Sequence, residues 1–153
     1  MRQLLLSALF CSIAFCATAQ DFKSAIGARL GIPASLSYKV FLSETNAVEA
    51  FGGLIFIDGT VALSANAAYQ IHADLEVEGL EGLQWYYGGG AGFVTSTSST
   101  YLTLSGYAGL SYTFDDIPLN LSVDWVPTFG IAKNVGLDVG YGALAARYIL
   151  SQN

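Results

Sequence analysis

Charge is scarce in this sequence. Only 12% of the 153 residues are Asp, Glu, Lys or Arg, about half the share carried by an ordinary soluble domain. Cysteine occurs twice, at Cys11 and Cys16, and histidine once, at His72. Disulfides and thiolate metal sites are therefore excluded from everything after residue 16, and a multi-histidine zinc site is excluded altogether. Basic residues number six against twelve acidic ones. That balance argues against nucleic-acid binding, which needs a basic surface. Long apolar runs are missing too. Beyond the first 20 residues none reaches the ~18 residues that a membrane-spanning helix requires. Yet 53% of the chain is apolar. High hydrophobicity without a helical span excludes the disordered chain and the helical membrane protein, and leaves a compact soluble core or a membrane barrel.

The first 20 residues, MRQLLLSALFCSIAFCATAQ, carry one basic residue (Arg2), an apolar stretch from Leu4 to Ala17 and a small-x-small site at Ala17-Thr18-Ala19. This pattern predicts a cleaved secretory signal peptide over 1–20, followed by a single domain over 21–153. Both cysteines fall inside the leader. Phe10 and Phe15 precede them where a lipoprotein site needs a small residue. Removing Arg2 leaves five basic residues against twelve acidic ones, a net charge of −7.

After Ser24 the apolar residues recur with period two, the mark of half-buried strands. From Tyr101 to Phe114 the even positions are Leu102, Leu104, Gly106, Ala108, Leu110, Tyr112 and Phe114, while the odd ones are mostly small or polar. The same alternation runs through 60–73, 83–94 and 119–125. Noisier strands are expected over 24–32, 35–42, 47–57 and 136–150, the last with a bulge or register change near Gly140 to Gly142. Pro33-Ala34, Ser43 to Asn46, Asp58-Gly59, Asp74 to Gly82, Thr95 to Thr100, Asp115 to Pro118 and Thr128 to Val135 read as connections. The fold class is all-β: an eight-stranded antiparallel up-and-down transmembrane β-barrel.

An eight-stranded barrel is either a soluble carrier, apolar inside, or a membrane barrel, apolar outside. The polar faces here carry Ser, Thr, Asn, Gly and Tyr, whereas water-facing strands are normally rich in Lys and Glu. Gly88-Gly89-Gly90 and Gly92 suit a narrow barrel interior better than a phosphate loop, which would need a following helix and lysine. Aromatic placement points the same way. If the odd-numbered connections face outward, Tyr69, Trp85, Tyr87, Tyr112, Phe114 and Tyr148 lie near the periplasmic ends of the apolar faces. Phe56, Phe93 and Trp125 lie near the outer ends. Two aromatic girdles are expected of a membrane barrel.

With these features the chain resembles the small eight-stranded outer-membrane barrels of Gram-negative bacteria, the outer membrane protein A/X type. Trp85 to Gly90, Asp116 to Pro127 and Arg147-Tyr148 are also similar to segments of uncharacterised small barrel proteins. The resemblance covers roughly 22–150 and is architectural more than motif-based. It implies a monomer in the outer membrane, surrounded by outer-membrane lipid and inserted by the barrel-assembly machinery. Such barrels usually end in an aromatic residue, whereas here Leu150 precedes Ser151-Gln152-Asn153. The outer loops are also shorter than is common among them.

Projecting the strand registers inward places Arg29, Lys39, Glu49, His72, Asp124 and Arg147 on the lumen side. Opposite charges in so narrow an interior are expected to pair, because an unpaired buried charge is strongly unfavourable. The expected role is structural or interaction-based, with a closed polar lumen, no enzyme activity and no cofactor or metal. Two alternatives stay open: a narrow ion or small-solute channel, and a soluble periplasmic lipocalin-like carrier. His72 shares the lumen face with Ser64, Ser122 and Asp124. A catalytic pair among them is disfavoured, because lipid-modifying barrels hold their catalytic groups near the outer rim.

Overall fold

The computed structural model describes residues 22–57, 59–131 and 136–152. The expected signal peptide lies outside them. Among the described residues there are ten strands: β1 (Ser24–Leu30), β2 (Ala34–Phe41), β3 (Asn46–Ile57), β4 (Thr60–Asp74), β5 (Leu83–Thr95), β6 (Thr100–Thr113), β7 (Leu119–Trp125), β8 (Thr128–Gly130), β9 (Gly136–Asp138) and β10 (Gly142–Ser151). Every pairing is antiparallel, from β1–β2 round to β6–β7, then β7–β10 and β10–β1. The ring therefore closes as an eight-stranded barrel. β7 with β8 forms one stave and β9 with β10 the next.

The two composite staves correct and refine the sequence expectation. Thr128–Gly130 was expected within a connection, but it pairs with Thr103–Ser105 of β6. The interruption before it falls at Pro127, which has no N–H to give to a ladder. Its carbonyl still accepts from Gly106 N at 2.9 Å, and Val126 N donates to Tyr141 O at 2.9 Å. Proline thus breaks the strand without ending the wall. The eighth stave is interrupted at 139–141, the glycine-rich place where its apolar face needed a register change.

At the β3–β4 hairpin, where Ile57 pairs with Thr60, Gly59 has φ of +77°. Glycine adopts that conformation at no steric cost, and it is characteristic of tight hairpins. One rim of the barrel carries Phe22 and Gln152, the first and last described residues, together with the connections 42–45, 75–82 and 114–118 (the terminal rim). The opposite, far rim carries the turn at 31–33, Gly59, 96–99 and the adjoining ends of β8 and β9.

Alternation sorts the side chains by chemistry. Outward positions include Leu36, Leu54, Leu63, Leu102, Leu104, Leu110, Val123 and Leu144, all exposed. Inward positions include Ser37, Lys39, Glu49, Gln70, His72, Asn120, Ser122 and Arg147, all buried. The polar faces of 60–73, 83–94, 101–114 and 119–125 point inward. At the terminal rim the lumen is sealed by Phe22, Ala25, Phe41, Ala47 and Ile149, with the Phe22 and Phe41 rings edge to face at 5.1 Å.

Candidate functional site: a charged lumen beneath an open vestibule

The lumen network begins with the cross-strand pair Lys39 and Glu49 on β2 and β3. Glu49 is fully buried and gathers donors from four strands. Ser37 Oγ donates to Oε1 at 2.6 Å and Gln70 Nε2 to Oε2 at 2.8 Å. Arg147 Nη2 donates to Oε1. Lys39 Nζ stands 3.5 Å from Oε2, and Arg29 Nη1 stands 3.6 Å from Oε1. A carboxylate removed from water needs such complete pairing to stay ionised.

Arg147 reaches Glu49 from β10 across the whole width of β1. Between Arg147 and Ser37, the β2 residue it meets on the way, lies Gly27, which pairs with both. A Cβ there would run into the Ala146 carbonyl and the Arg147 Cα. The missing side chain lets the guanidinium pass over β1. It donates to Ser37 Oγ at 3.0 Å and Ser122 Oγ at 2.8 Å. Asn120, on the other side of Arg147, donates to Ser111 Oγ at 2.9 Å and Thr113 Oγ1 at 3.1 Å.

Asp124 holds the second centre. Arg29 Nη2 lies 2.7 and 2.9 Å from its two oxygens, and Tyr86 OH donates to it at 2.5 Å. The Arg29 guanidinium also lies over Phe51, 4.7 Å from the ring centroid, and 5.9 Å from that of Tyr107. Cation–π contacts of this kind gain strength when water is excluded.

A column of rings links the two centres to the terminal seal. His72 sits between Phe41, at 4.9 Å, and Tyr86, stacked at 4.8 Å and 18°. Its Nε2 faces Gln70 Oε1 at 3.4 Å, and Lys39 Nζ lies over the Tyr86 ring at 4.7 Å.

All six lumen residues named from the sequence are buried inward. Arg29, Lys39, Glu49, Asp124 and Arg147 are joined in one network, and His72 adjoins it through Gln70. Sequence reasoning missed the inward aromatics Phe22, Phe41 and Phe51, and the hydrogen-bonding roles of Ser37, Gln70 and Asn120. Their signal was available in part. Phe41 and Phe51 share the odd phase of Lys39 and Glu49, but a phenylalanine in a polar phase reads as noise.

The seven aromatics expected at the interfaces, Tyr69, Trp85, Tyr87, Tyr112, Phe114, Trp125 and Tyr148, all lie on the outer face of the barrel. Trp85 and Tyr87 stack at 5.4 Å, and Tyr112 meets Phe114 edge to face at 4.8 Å, both near the terminal rim. Tyr69 and Tyr148 are exposed on the same half. Trp125 is exposed as well, but it is not at the far end of its stave. That expectation assumed that the strand stops there, whereas β8 carries the wall beyond it. Its Nε1 donates to Val139 O at 2.6 Å.

Above Arg29 the lumen opens into a vestibule of about 300 Å³ facing the far rim. Phe51, Ile55, Tyr107 and Val126 supply apolar walls, and Ser64, Ser105 and Thr128 supply hydroxyls. Below Arg29, buried side chains fill the barrel, as an eight-stranded interior allows. Comparison with known proteins returns no match: no family model, no curated protein and no solved structure is similar to this chain.

Proposed function

We propose that this protein is an integral outer-membrane barrel with a structural or interaction role, its lumen closed by the Glu49 and Asp124 networks. On this reading it works as a monomer without cofactor or catalytic activity, is exported by its leader and is inserted by the barrel-assembly machinery. The observation that carries it is the direction of the two faces. Charges are buried inside, and large apolar side chains cover the outside all round the ring. The largest apolar patch of a typical soluble monomer is ~300–600 Å², and a band encircling a barrel exceeds that. A lipocalin-like carrier makes the opposite demand, an apolar lumen inside a water-facing wall.

The test uses the two tryptophans, Trp85 and Trp125, which are 38% and 52% exposed on the outer face. In vesicles of acyl-chain-brominated phosphatidylcholine both are expected to be quenched, Trp125 by the more deeply placed bromines. Absence of quenching, together with recovery of the protein in a carbonate-soluble periplasmic fraction, would overturn the proposal.

A further inference from the structure

The vestibule has two unlike halves. In ring order its apolar side chains run together from β10 through the β1–β2 turn to β3: Ala143, Ile32, Pro33, Phe51 and Ile55. Across the ring from them β4, β6 and β8 supply Ser64, Asn66, Thr103, Ser105 and Thr128, with Val94 of β5 the exception among them. At the floor Phe51 and Val126 pack against the cluster that holds Tyr86 and Tyr107.

The five polar side chains are uncharged, and two of them are unfilled. Ser105 Oγ and Thr128 Oγ1 share a hydrogen bond at 2.9 Å, and Ser64 Oγ reaches Gly53 O at 3.4 Å. The Asn66 carboxamide and the Thr103 hydroxyl hydrogen-bond to no other described residue. These two stand at one height in the wall, for Asn66 pairs with Gly92 and Gly92 with Thr103. A Cβ on Gly92 would run into Asn66 Oδ1. The carboxamide thus uses the room that this glycine leaves between β4 and β6.

Charge is turned away from the cavity. The Arg29 guanidinium is held by Asp124 and stands 3.6 Å from Glu49, and neither carboxylate lines the vestibule. Asp138 is the one carboxylate among the lining residues; it is exposed and accepts from Gly140 N at 2.9 Å. A charged guest would enter without a counter-charge, which is unfavourable away from water. Hydroxyls and carboxamides both donate and accept, so the guest that suits this half carries several neighbouring hydroxyls. The opposite half calls for C–H surface. A pyranose ring has both, with hydroxyls round its edge and C–H groups on its faces. At about 300 Å³ the vestibule is at the small end for ligand pockets, which limits it to a single ring.

We infer that the vestibule binds one neutral pyranose, its hydroxyl edge on Asn66 and Thr103 and a C–H face towards Phe51 and Ile55. The ring is either a free sugar or the end of a glycan. Inward side chains alone build the site, so it does not depend on whether the outer face meets lipid or water.

The test titrates the ¹⁵N-labelled full chain, folded in phosphocholine micelles, with glucose, galactose and mannose in turn, and follows amide shifts by NMR. At least one sugar is expected to give saturable shifts at the Asn66 side-chain amide and the Phe51 and Thr103 backbone amides. The Asn120 side-chain amide, inside the closed network, should stay unmoved. Thr103→Val keeps the side-chain shape without the hydroxyl and should weaken binding about fivefold, the scale of one neutral hydrogen bond. Ile55→Trp, which fills the space, should abolish it. The uronic acid and the amino sugar of the same ring should bind about tenfold more weakly than the neutral sugar. A linear trisaccharide of the sugar that binds separates the two sources: binding supports the glycan end, and failure to bind supports the free sugar. Absence of saturable shifts at Asn66 and Thr103 with all three sugars would overturn the site. Equal binding of the charged sugars would overturn selection of a neutral ring, and undiminished binding by Thr103→Val would overturn the role of the polar half.

Discussion

Glu49 and Gly27 show how single positions set the interior. Glu49 is the carboxylate on which Arg29, Lys39 and Arg147 converge, so Glu49→Gln leaves three buried cations short of a counter-charge. Breaking a buried ion pair from one side costs about 3–5 kcal/mol. The expected outcome is a loss of that size in the urea unfolding free energy of the refolded protein in lipid, and an unchanged midpoint would contradict the pairing. Gly27 acts by having no side chain. Gly27→Val is expected to prevent recovery of the heat-modifiable folded band on unboiled gels, because its Cβ meets backbone rather than a movable side chain. Neither role can be assigned from residue type. Glu49 was placed in the lumen by strand phase, whereas the importance of Gly27 depends on the guanidinium that crosses it.

At the scale of the strand, alternation determined which residues face outward, and pairing determines how deep each one lies. Leu104 is 49% exposed and pairs with Ala91 in the middle of β5 and with Phe129. Leu121 pairs with Tyr112 and Ala146, close to the terminal aromatic group. On the membrane reading, Leu104→Arg should cost about 2–4 kcal/mol near the midplane, and Leu121→Arg less, since the penalty falls towards the interface. Refolding yields and unfolding free energies of the two variants in the same lipid check the order. If Leu121→Arg proves the costlier, the depth assignment is wrong. The stave that extends past Pro127 was not legible in the sequence. Thr128 to Val135 has turn-forming residues, and the partner that makes Thr128–Gly130 a strand is β6, more than twenty residues earlier.

For the whole molecule the question is whether the lumen conducts. Phe22 and Phe41 seal the terminal rim, the ring column and ion network fill the space above them, and the vestibule ends at Arg29. In planar bilayers the protein is expected to give no reproducible unitary currents. Currents that disappear on Asp124→Asn would instead favour the channel alternative. This prediction differs from those above because no single residue decides it: closure depends on side chains from all eight staves meeting in one interior.

The sequence by itself determined the strand class, the alternation, the inward phase of Arg29, Lys39, Glu49, His72, Asp124 and Arg147, and the outward phase of Tyr69, Trp85, Tyr87, Tyr112, Phe114, Trp125 and Tyr148. These are local properties, fixed by the two-residue repeat of a strand. Only the tertiary structure decided which charges meet, that Arg147 passes over Gly27, that Phe22 and Phe41 close one end, and that a vestibule opens above Arg29. Each of these depends on the register between strands distant in the chain. Register is set by the closure of the ring, and no single segment contains it.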